Sequence, residues 1–278
     1  MYKNIYIVIA TSLRRTNMLI KYSLQSVYLQ KKVNLYKFNV LIVDDNRNLE
    51  EFIKVKKEVK RLRRKLKLKN KQFETFVIKN KYAKFNSGTG AWNTAIDFIY
   101  RKDRKAYIVF LDDDDWFDRY YLYNLKNHLN GKNIAVFSPI TWKFKKYELI
   151  FNLDINELTP KNFYIKNPGV QASNMCFRVD ILKAIGGFDG NLPSTTDRDL
   201  MIRFLNFCEK TKQSDKIKIL DYKGVYYNAE NRGSITKNRL KKHKGLKLFY
   251  QKYKHYFSSE DYKLSLQRAK KLFDYDEE

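Results

Sequence analysis

The chain of 278 residues is poor in the residues that small or specialised scaffolds rely on. Its two cysteines, Cys176 and Cys208, exclude a disulfide framework and a cysteine-based zinc site, and suit a reducing compartment. Ten glycines and four prolines exclude collagen-like and proline-rich linker architectures. The three histidines, His128, His243 and His255, lack the mutual spacing of metal ligands, and no Ser-His-Asp or Cys-His pair can be assigned. Long apolar runs are missing. The first, Ile5 to Ala10, is far too short to span a bilayer, is followed by Arg14 and Arg15, and lacks the marks of a secretory signal. The expectation is a cytoplasmic chain whose membrane contact, if any, is peripheral.

Acidic residues are also few: 30 Asp and Glu face 56 Lys and Arg, for a net charge of +26. Such a balance permits nucleic acid, an anionic membrane face or phosphorylated substrates as partners. It follows equally from a composition rich in Lys, Asn, Ile, Tyr and Phe, as an AT-rich coding sequence produces. With 44% hydrophobic and 15% aromatic residues, the chain has enough apolar side chains for a core, which excludes disorder as its main state.

The N-terminal half alternates between strand and helix patterns. Ile5–Ile9, Val40–Val43, Phe73–Ile78 and Tyr107–Leu111 read as short buried strands. Between them, Thr16–Gln30, Leu49 to about Leu68 and Trp92–Tyr100 read as helices. This rhythm predicts a mostly parallel sheet covered by helices, with ligands bound beyond the carboxyl ends of its strands. Further on, Ala135–Phe144 reads as strand, Thr159–Gly169 as loop, Met175–Arg178 as a short strand and Val179–Ile185 as a short helix. Asp197–Cys208 reads as helix, Ile217–Tyr227 as a strand region, and the chain after Ser234 as basic helix up to Phe273. No internal repeat or flexible linker appears, so the expected organisation is one domain over 1–236 with a basic helical extension over 237–278.

The strongest motif is Phe110-Leu-Asp-Asp-Asp-Asp-Trp-Phe117. Four consecutive carboxylates at a strand end repel one another, and a divalent cation such as Mg²⁺ or Mn²⁺, sharing its shell with substrate phosphates, relieves that repulsion. Alternation along an extended strand would put Asp112 and Asp114 on one face. Asp44 and Asp45 follow the second strand, where a carboxylate can accept hydrogen bonds from a ribose or base. Asn86-Ser-Gly-Thr-Gly-Ala-Trp-Asn93 is a glycine-containing loop entering a helix; it is neither a Walker A motif nor a dinucleotide fingerprint. Asp197 and Asp199 open a helix, where capping and the helix dipole favour acids, and where a carboxylate beside a cleft can serve as a general base.

Together these residues resemble the family-two inverting glycosyltransferases of the GT-A fold. The likeness runs from Ile5-Tyr-Ile-Val-Ile-Ala-Thr11 through Leu24-Gln-Ser-Val27 and Gln30, Val43-Asp-Asp45, Gly88 to Asn93 and Phe110 to Phe117. It continues through Phe177-Arg178 and Gly186-Gly-Phe-Asp189 to Asp197-Arg-Asp-Leu200. The resemblance implies an α/β nucleotide-binding sheet and transfer from a nucleotide-diphosphate sugar, commonly a UDP-sugar, with inversion. A cell-surface glycan or glycoconjugate is the implied kind of product, and the acceptor is a glycan, lipid-linked or protein hydroxyl. It puts nucleotide contacts on Thr11, Arg14, Asp44, Asp45, Gly88, Asp112 and Asp113, and a Mn²⁺ or Mg²⁺ site on Asp112 and Asp114, with Asp115 close by. It puts the catalytic base on Asp197. Two departures stand out. The family's usual Glu-Asp pair reads Thr196-Asp197, which keeps Asp199 as a rival base. The late histidine of many members is absent from Tyr227–Thr236, where Arg232 is a candidate for the diphosphate and Glu230 for the metal.

Two other readings differ in kind. A nucleotidyltransferase would need a glycine-rich basic loop for a triphosphate, and Ala10–Arg15 has no glycine. A nucleic-acid-binding protein is favoured by charge alone, without a recognisable module, so no nucleic acid partner is expected. Charge is concentrated in two places: 11 of the 18 positions from Lys54 to Lys71 are Lys or Arg, and Lys237–Lys271 is a second basic stretch. Val55, Val59, Leu62 and Leu66 recur at helical spacing, so the first stretch is expected to bury them and present its cations outward, towards solvent or an anionic membrane.

Overall fold

The computed structural model describes residues 4–12, 14–33, 37–46, 48–68, 73–82, 88–230 and 238–276. The N-terminal half runs β1 (Ile5–Thr11), α1 (Thr16–Leu19), a wider π turn (Ile20–Leu24), α2 (Gln25–Tyr28), β2 (Phe38–Asp44), α3 (Leu49–Lys65), β3 (Phe73–Lys79), α4 (Thr89–Lys102) and β4 (Tyr107–Asp112). Then follow β5 (Trp116–Phe117), α5 (Tyr121–Lys126), β6 (Ala135–Phe137), β7 (Ile140–Lys143), β8 (Glu148–Phe151), α6 (Pro160–Ile165), β9 (Met175–Arg178) and α7 (Val179–Ala184). The chain closes with α8 (Thr196–Lys210), β10 (Ile217–Ile219), β11 (Val225–Asn228), α9 (Arg239–Tyr253) and α10 (Ser259–Phe273).

A seven-stranded sheet in the order β10-β6-β9-β4-β1-β2-β3 forms the middle layer, and β5-β11-β7-β8 form a smaller sheet. The strands β1 to β4 are parallel to one another, as expected, and β9 runs antiparallel to both β4 and β6. The central strands are apolar throughout because helices cover both faces. On β1, Tyr6 and Val8 face one core and Ile5, Ile7 and Ile9 the other; on β4, Ile108 and Phe110 are separated in the same way from Tyr107, Val109 and Leu111. Register brings the strand ends together: Thr11 pairs with Asp44, and Ala10 with Asp112.

Several local expectations change. The stretch 135–144 is two strands in different sheets, because Ser138 and Pro139 separate β6 from β7; proline has no N–H for a sheet ladder. Likewise 217–227 divides into β10 and β11, one in each sheet. The predicted loop 159–169 contains α6: Thr159 Oγ1 accepts from Asn162 N at 3.2 Å and Pro160 occupies the first turn. The acidic run is extended only to Asp112. Asp115 N donates to Asp112 O at 3.2 Å, closing a turn, so strand alternation does not position Asp114. In the C-terminal stretch, Leu246, Phe249, Tyr250, Tyr253, Ala269 and Tyr275 enter the same core as Leu200 and Phe204 of α8.

Candidate active site

The site is built where the parallel strands end. Backbone bonds join the exits: Asp45 N donates to Thr11 O and Asn80 N to Asp44 O, each at 2.8 Å. From the end of β1, Thr11 Oγ1 donates to Asp113 Oδ2 at 2.8 Å. Arg15 donates from Nε to both oxygens of Asp113, at 2.8 and 3.0 Å, and lies 2.9 Å from Asp114 Oδ1. Its neighbour Arg14 is exposed and has left-handed backbone, φ 65°. Among the described residues it is therefore Arg15, which the motif reading passed over, and not Arg14, that reaches the acidic run. The adjacent arginines were visible in the sequence, but which of them turns inward depends on that backbone reversal.

The four aspartates have different surroundings. Asp113 is tied to Thr11 and Arg15. Asp115 accepts from Ser173 Oγ at 2.6 Å and from Asn228 N at 2.9 Å. The carboxylate of Asp112 makes no hydrogen bond or ion pair among the described residues, although its backbone N–H is bonded to Ser173 Oγ at 3.0 Å. Burial first, and then the charges of Asp115, Asp114, Asp113 and Asp197, hold the Asp112 carboxyl well above the usual carboxylate range. Burial and Asp114 likewise raise Asp115. Among the described residues no three carboxylates, imidazoles or thiolates converge as a ready-made cation cage. Asp112 with Asp114 offers carboxylate oxygens to a hard cation whose remaining ligands would come from a phosphorylated substrate, as Mg²⁺ and Mn²⁺ sites commonly arrange.

At the end of β2 the surroundings are drier. Asp44 is fully buried; its Oδ1 accepts from the Asn46 side-chain amide, and its Oδ2 has no partner. Burial pushes its carboxyl up to about 6. The side-chain oxygen of Asn46 is also buried without a partner. Buried polar atoms are rarely left unpaired, so these two mark a place where a polar ligand would be satisfied. Asp45 accepts from Asn80 Nδ2 at 2.5 Å, and Asn80 in turn accepts from Thr94 Oγ1 at 2.8 Å. Gly88, at the start of α4, has φ 72°, which a side chain would strain.

The other wall is the first turn of α8. Asp197 is half-buried and makes no hydrogen bond among the described residues. Burial raises its carboxyl to about 6, against the opposing charge of Lys242, and Asp197 in turn raises Asp112. These two free carboxylates, from elements far apart in sequence, are thus electrostatic neighbours. Asp199 is committed elsewhere: Oδ1 accepts from Lys252 Nζ at 2.6 Å and Tyr253 Oη at 2.7 Å, and Oδ2 from Arg203 at 2.6 and 3.0 Å. The rival position is filled by four donors, because that carboxylate faces α9 and not the strand ends.

Helix α9 holds the α8 entrance from behind. The Arg198 guanidinium lies 4.2 Å from the centre of the Phe249 ring and donates to the carbonyls of Phe163 and Tyr164. Gly245 packs so closely that a Cβ there would lie 2.1 Å from Ser194 Oγ. Arg232, the candidate diphosphate contact, lies outside the described residues. Glu230 Oε1 accepts from Lys145 N at 3.1 Å. Nothing local in the sequence signals Ser173 or Lys242; both arrive through tertiary contacts.

The description "Glycosyl transferase family 2" matches residues 7–186. No curated protein matches the chain. Among solved structures, S. aureus TarS superposes with a TM-score of 0.54 at 16% identity, covering 86% of this chain and 39% of that one, so this chain spans well under half of that protein. TarS 1-349 in complex with UDP-GlcNAc gives 0.58 at 13%, covering 97% and 81%. A mannosyltransferase from Pyrobaculum calidifontis, in complex with GDP-Man and Mn2+, gives 0.55 at 15%, covering 97% and 70%. At such identities the likeness is one of fold, while the family match takes in most of the chain and sets aside the nucleotidyltransferase reading. The chain belongs to glycosyl transferase family 2, and is built on a GT-A fold.

Proposed function

We propose that the chain is a metal-dependent inverting glycosyltransferase that moves a sugar from a nucleotide-diphosphate donor, a UDP-sugar by preference, to an acceptor hydroxyl in glycan or glycoconjugate synthesis. The observation that carries this reading is that two half-buried carboxylates are left without hydrogen-bond partners among the described residues. Asp112 and Asp197 lack hydrogen-bond partners beside the strand ends, while Asp113, Asp115 and Asp199 next to them are held by several donors.

In this reading the nucleoside lies over the ends of β1 and β2. The unpaired oxygens of Asp44 and Asn46 accept from it or from bridging water, and Thr11 and Asp45 border the same edge. Gly88 allows the backbone to approach the nucleotide closely. Asp112 and Asp114 would hold Mn²⁺ or Mg²⁺; when bound, the ion neutralises charge on the leaving diphosphate. Arg15 and Thr11 keep Asp113 turned away from that position, and Ser173 and Asn228 do the same for Asp115. Asp197 takes the proton of the acceptor hydroxyl as that oxygen attacks the anomeric carbon opposite the leaving group. Its raised pKa makes it a stronger base than a surface carboxylate while leaving it ionised at pH 7. One displacement inverts the configuration through an oxocarbenium-like transition state, as in glycoside hydrolysis. The complexes of TarS with UDP-GlcNAc and of the Pyrobaculum mannosyltransferase with GDP-Man and Mn2+ support the choice of donor class and ion.

The test is a screen of UDP-, GDP- and dTDP-sugars for slow donor hydrolysis with Mn²⁺, Mg²⁺ or EDTA. Saturable, metal-requiring hydrolysis of UDP-sugars is the expected result; full activity in EDTA would refute the metal, and preference for another base would refute the donor.

A further inference from the structure

The outer face of α3 has no role in the reading above, and its make-up is unusual. Val55, Val59 and Leu62 are buried, as their spacing predicted, whereas Leu66, expected with them, follows the last turn and is only partly buried. Facing away, Lys56, Lys57, Lys60, Arg64, Lys65 and Lys67 are exposed and form no ion pair among the described residues. Acids offset two other cations of the helix, Lys54 through Glu51 and Arg61 through Glu58. Like charges at successive helical turns, Lys56, Lys60 and Arg64, weaken a helix. Along the same stripe, one turn at a time, the positions before them are Leu49 and Ile53, which are 59% and 55% exposed. The stripe is thus apolar at its start and cationic for the rest of its length. It borders a groove of about 430 Å³, rimmed by Lys56, Lys60, Arg64 and Lys67, with Val59 and Val77 at its base. Arg63 differs from its neighbours: its guanidinium donates to Phe73 O and Thr75 Oγ1, both at 2.6 Å, and so fastens the helix to the edge strand β3.

We propose that this stripe, from Leu49 to Lys67, docks the protein on an anionic lipid bilayer. Its lysines and arginines engage lipid phosphates, and Leu49 and Ile53 enter the headgroup layer, the pattern of an interfacial helix face. A nucleic acid would satisfy the cations but offers nothing to the two exposed aliphatic side chains. Because α3 follows β2 directly, the apolar end of the stripe is the end nearer Asp44. A docked protein therefore holds its catalytic edge close to the membrane surface. No described helix is long and apolar enough to cross a membrane, so contact through this stripe is a surface contact.

Co-sedimentation of the full chain with phosphatidylcholine vesicles, with and without phosphatidylglycerol, tests the proposal. Binding should require the anionic lipid and fade as salt rises. Replacing Lys56→Gln, Lys60→Gln, Arg64→Gln and Lys67→Gln together should weaken it by about 100-fold or more. The same number of glutamines at Lys241, Lys244, Lys247 and Lys254 should change it only a few-fold, and Ile53→Ser should weaken it without altering net charge. Arg63 stays in place because it is structural. Thermal melting confirms folding, and the pairs Lys56/Lys60 and Arg64/Lys67 can be changed separately if the quadruple variant fails to fold. Equal binding to neutral and anionic vesicles overturns the proposal, as does equal loss from the two quadruple variants. So does tight binding of a DNA duplex that the α3 variant loses while its vesicle binding is unchanged.

Discussion

The two walls of the candidate site are built differently. In the N-terminal half, Thr11, Asp44 and Asp112 stand at the ends of adjacent parallel strands, and the register of the sheet brings them together. In the C-terminal half, Asp197 stands on the first turn of α8, in a wall that depends on α9 packing behind it. A strand-end site is inherited from the sheet, which two cores fix from both faces. A helix-start site needs a separate clamp, and here the clamp comes from the last part of the chain. Each wall pairs a free carboxylate with saturated neighbours: Asp112 beside Asp113 and Asp115, and Asp197 beside Asp199. In the proposed reading the free carboxylates serve ligands, whereas the saturated ones hold the protein together.

The largest effects should come from the free members. Asp112→Asn should lower transfer by about a thousandfold or more, the scale of losing a ligand to a catalytic ion. Because that carboxylate is opposed by four others, thermal stability should be unchanged or higher. EDTA should reproduce the activity loss in the wild type. Asp115→Ala should do the reverse, costing about 1–3 kcal/mol by leaving Ser173 and the Asn228 N–H unpaired. An Asp112→Asn enzyme that melts early and keeps its turnover would erase the distinction between the two kinds of carboxylate.

The second wall gives a parallel test. Asp197→Asn should lower kcat by about 10²–10⁴-fold and leave nucleotide affinity, measured by calorimetry, intact. Asp199→Asn should act through folding, with a loss of about 1–3 kcal/mol, because the buried carboxylate that holds Arg203, Lys252 and Tyr253 would lose its charge, while Lys252 keeps Asp189 as a partner. A well-folded Asp199→Asn enzyme that cannot transfer sugar would return the base to that position.

These pairs also show what can be read from sequence. The strands β1, β2 and β4 were legible because burial on both faces demands unbroken apolar runs, and the acids that end them stand out at once. Which of those acids is free was not legible. Asp113 is neutralised by Arg15 from the loop after β1, and Asp115 is hydrogen-bonded by Ser173 from the turn before β9 and by Asn228 N at the end of β11, partners that no local spacing announces. The choice of Arg15 over Arg14 rests on one left-handed residue. Pro139 and the Thr159-Pro160 cap were local signals, and they mark the break between β6 and β7 and the start of α6. The clamp on α8 had no local signal: Ser194 and Asp199 on one side meet Gly245 and Lys252 of α9, which lie far away in the chain.

The clamp itself can be loosened. Gly245→Ala would place a Cβ 2.1 Å from Ser194 Oγ and 2.9 Å from Ser194 N. Overpacking of this kind costs about 1–3 kcal/mol. If the wall depends on α9, kcat should fall as well, while nucleotide binding at the strand ends persists. Ser194→Gly combined with Gly245→Ala should recover part of both losses, and that non-additivity is the signature of direct contact. Strict additivity would mean the two helices adjust independently.

The finest test concerns the charge balance at the second wall. The Asp197 carboxyl is raised to about 6 by burial, with Lys242 pulling the other way. Lys242 is itself lowered to about 8, by burial first and then by Arg198. A general base must be ionised, so transfer should rise with pH through about 6 and be lost below it. Removing the cation in Lys242→Met takes away what favours the ionised carboxylate. The acidic limb of kcat/KM should therefore move to higher pH, whereas Lys242→Arg should leave it nearly in place. The sign for folding is opposite to that for activity. A carboxyl whose pKa is higher in the folded state than in the unfolded chain contributes most to stability below the unfolded value, and that contribution is lost as pH rises through about 6. Asp197→Asn should accordingly flatten the fall in stability between about pH 4 and 6 while removing activity. Melting curves across that range, beside the pH profile, separate the two roles. An acidic limb that stays put in Lys242→Met would place that lysine outside the electrostatics of the base.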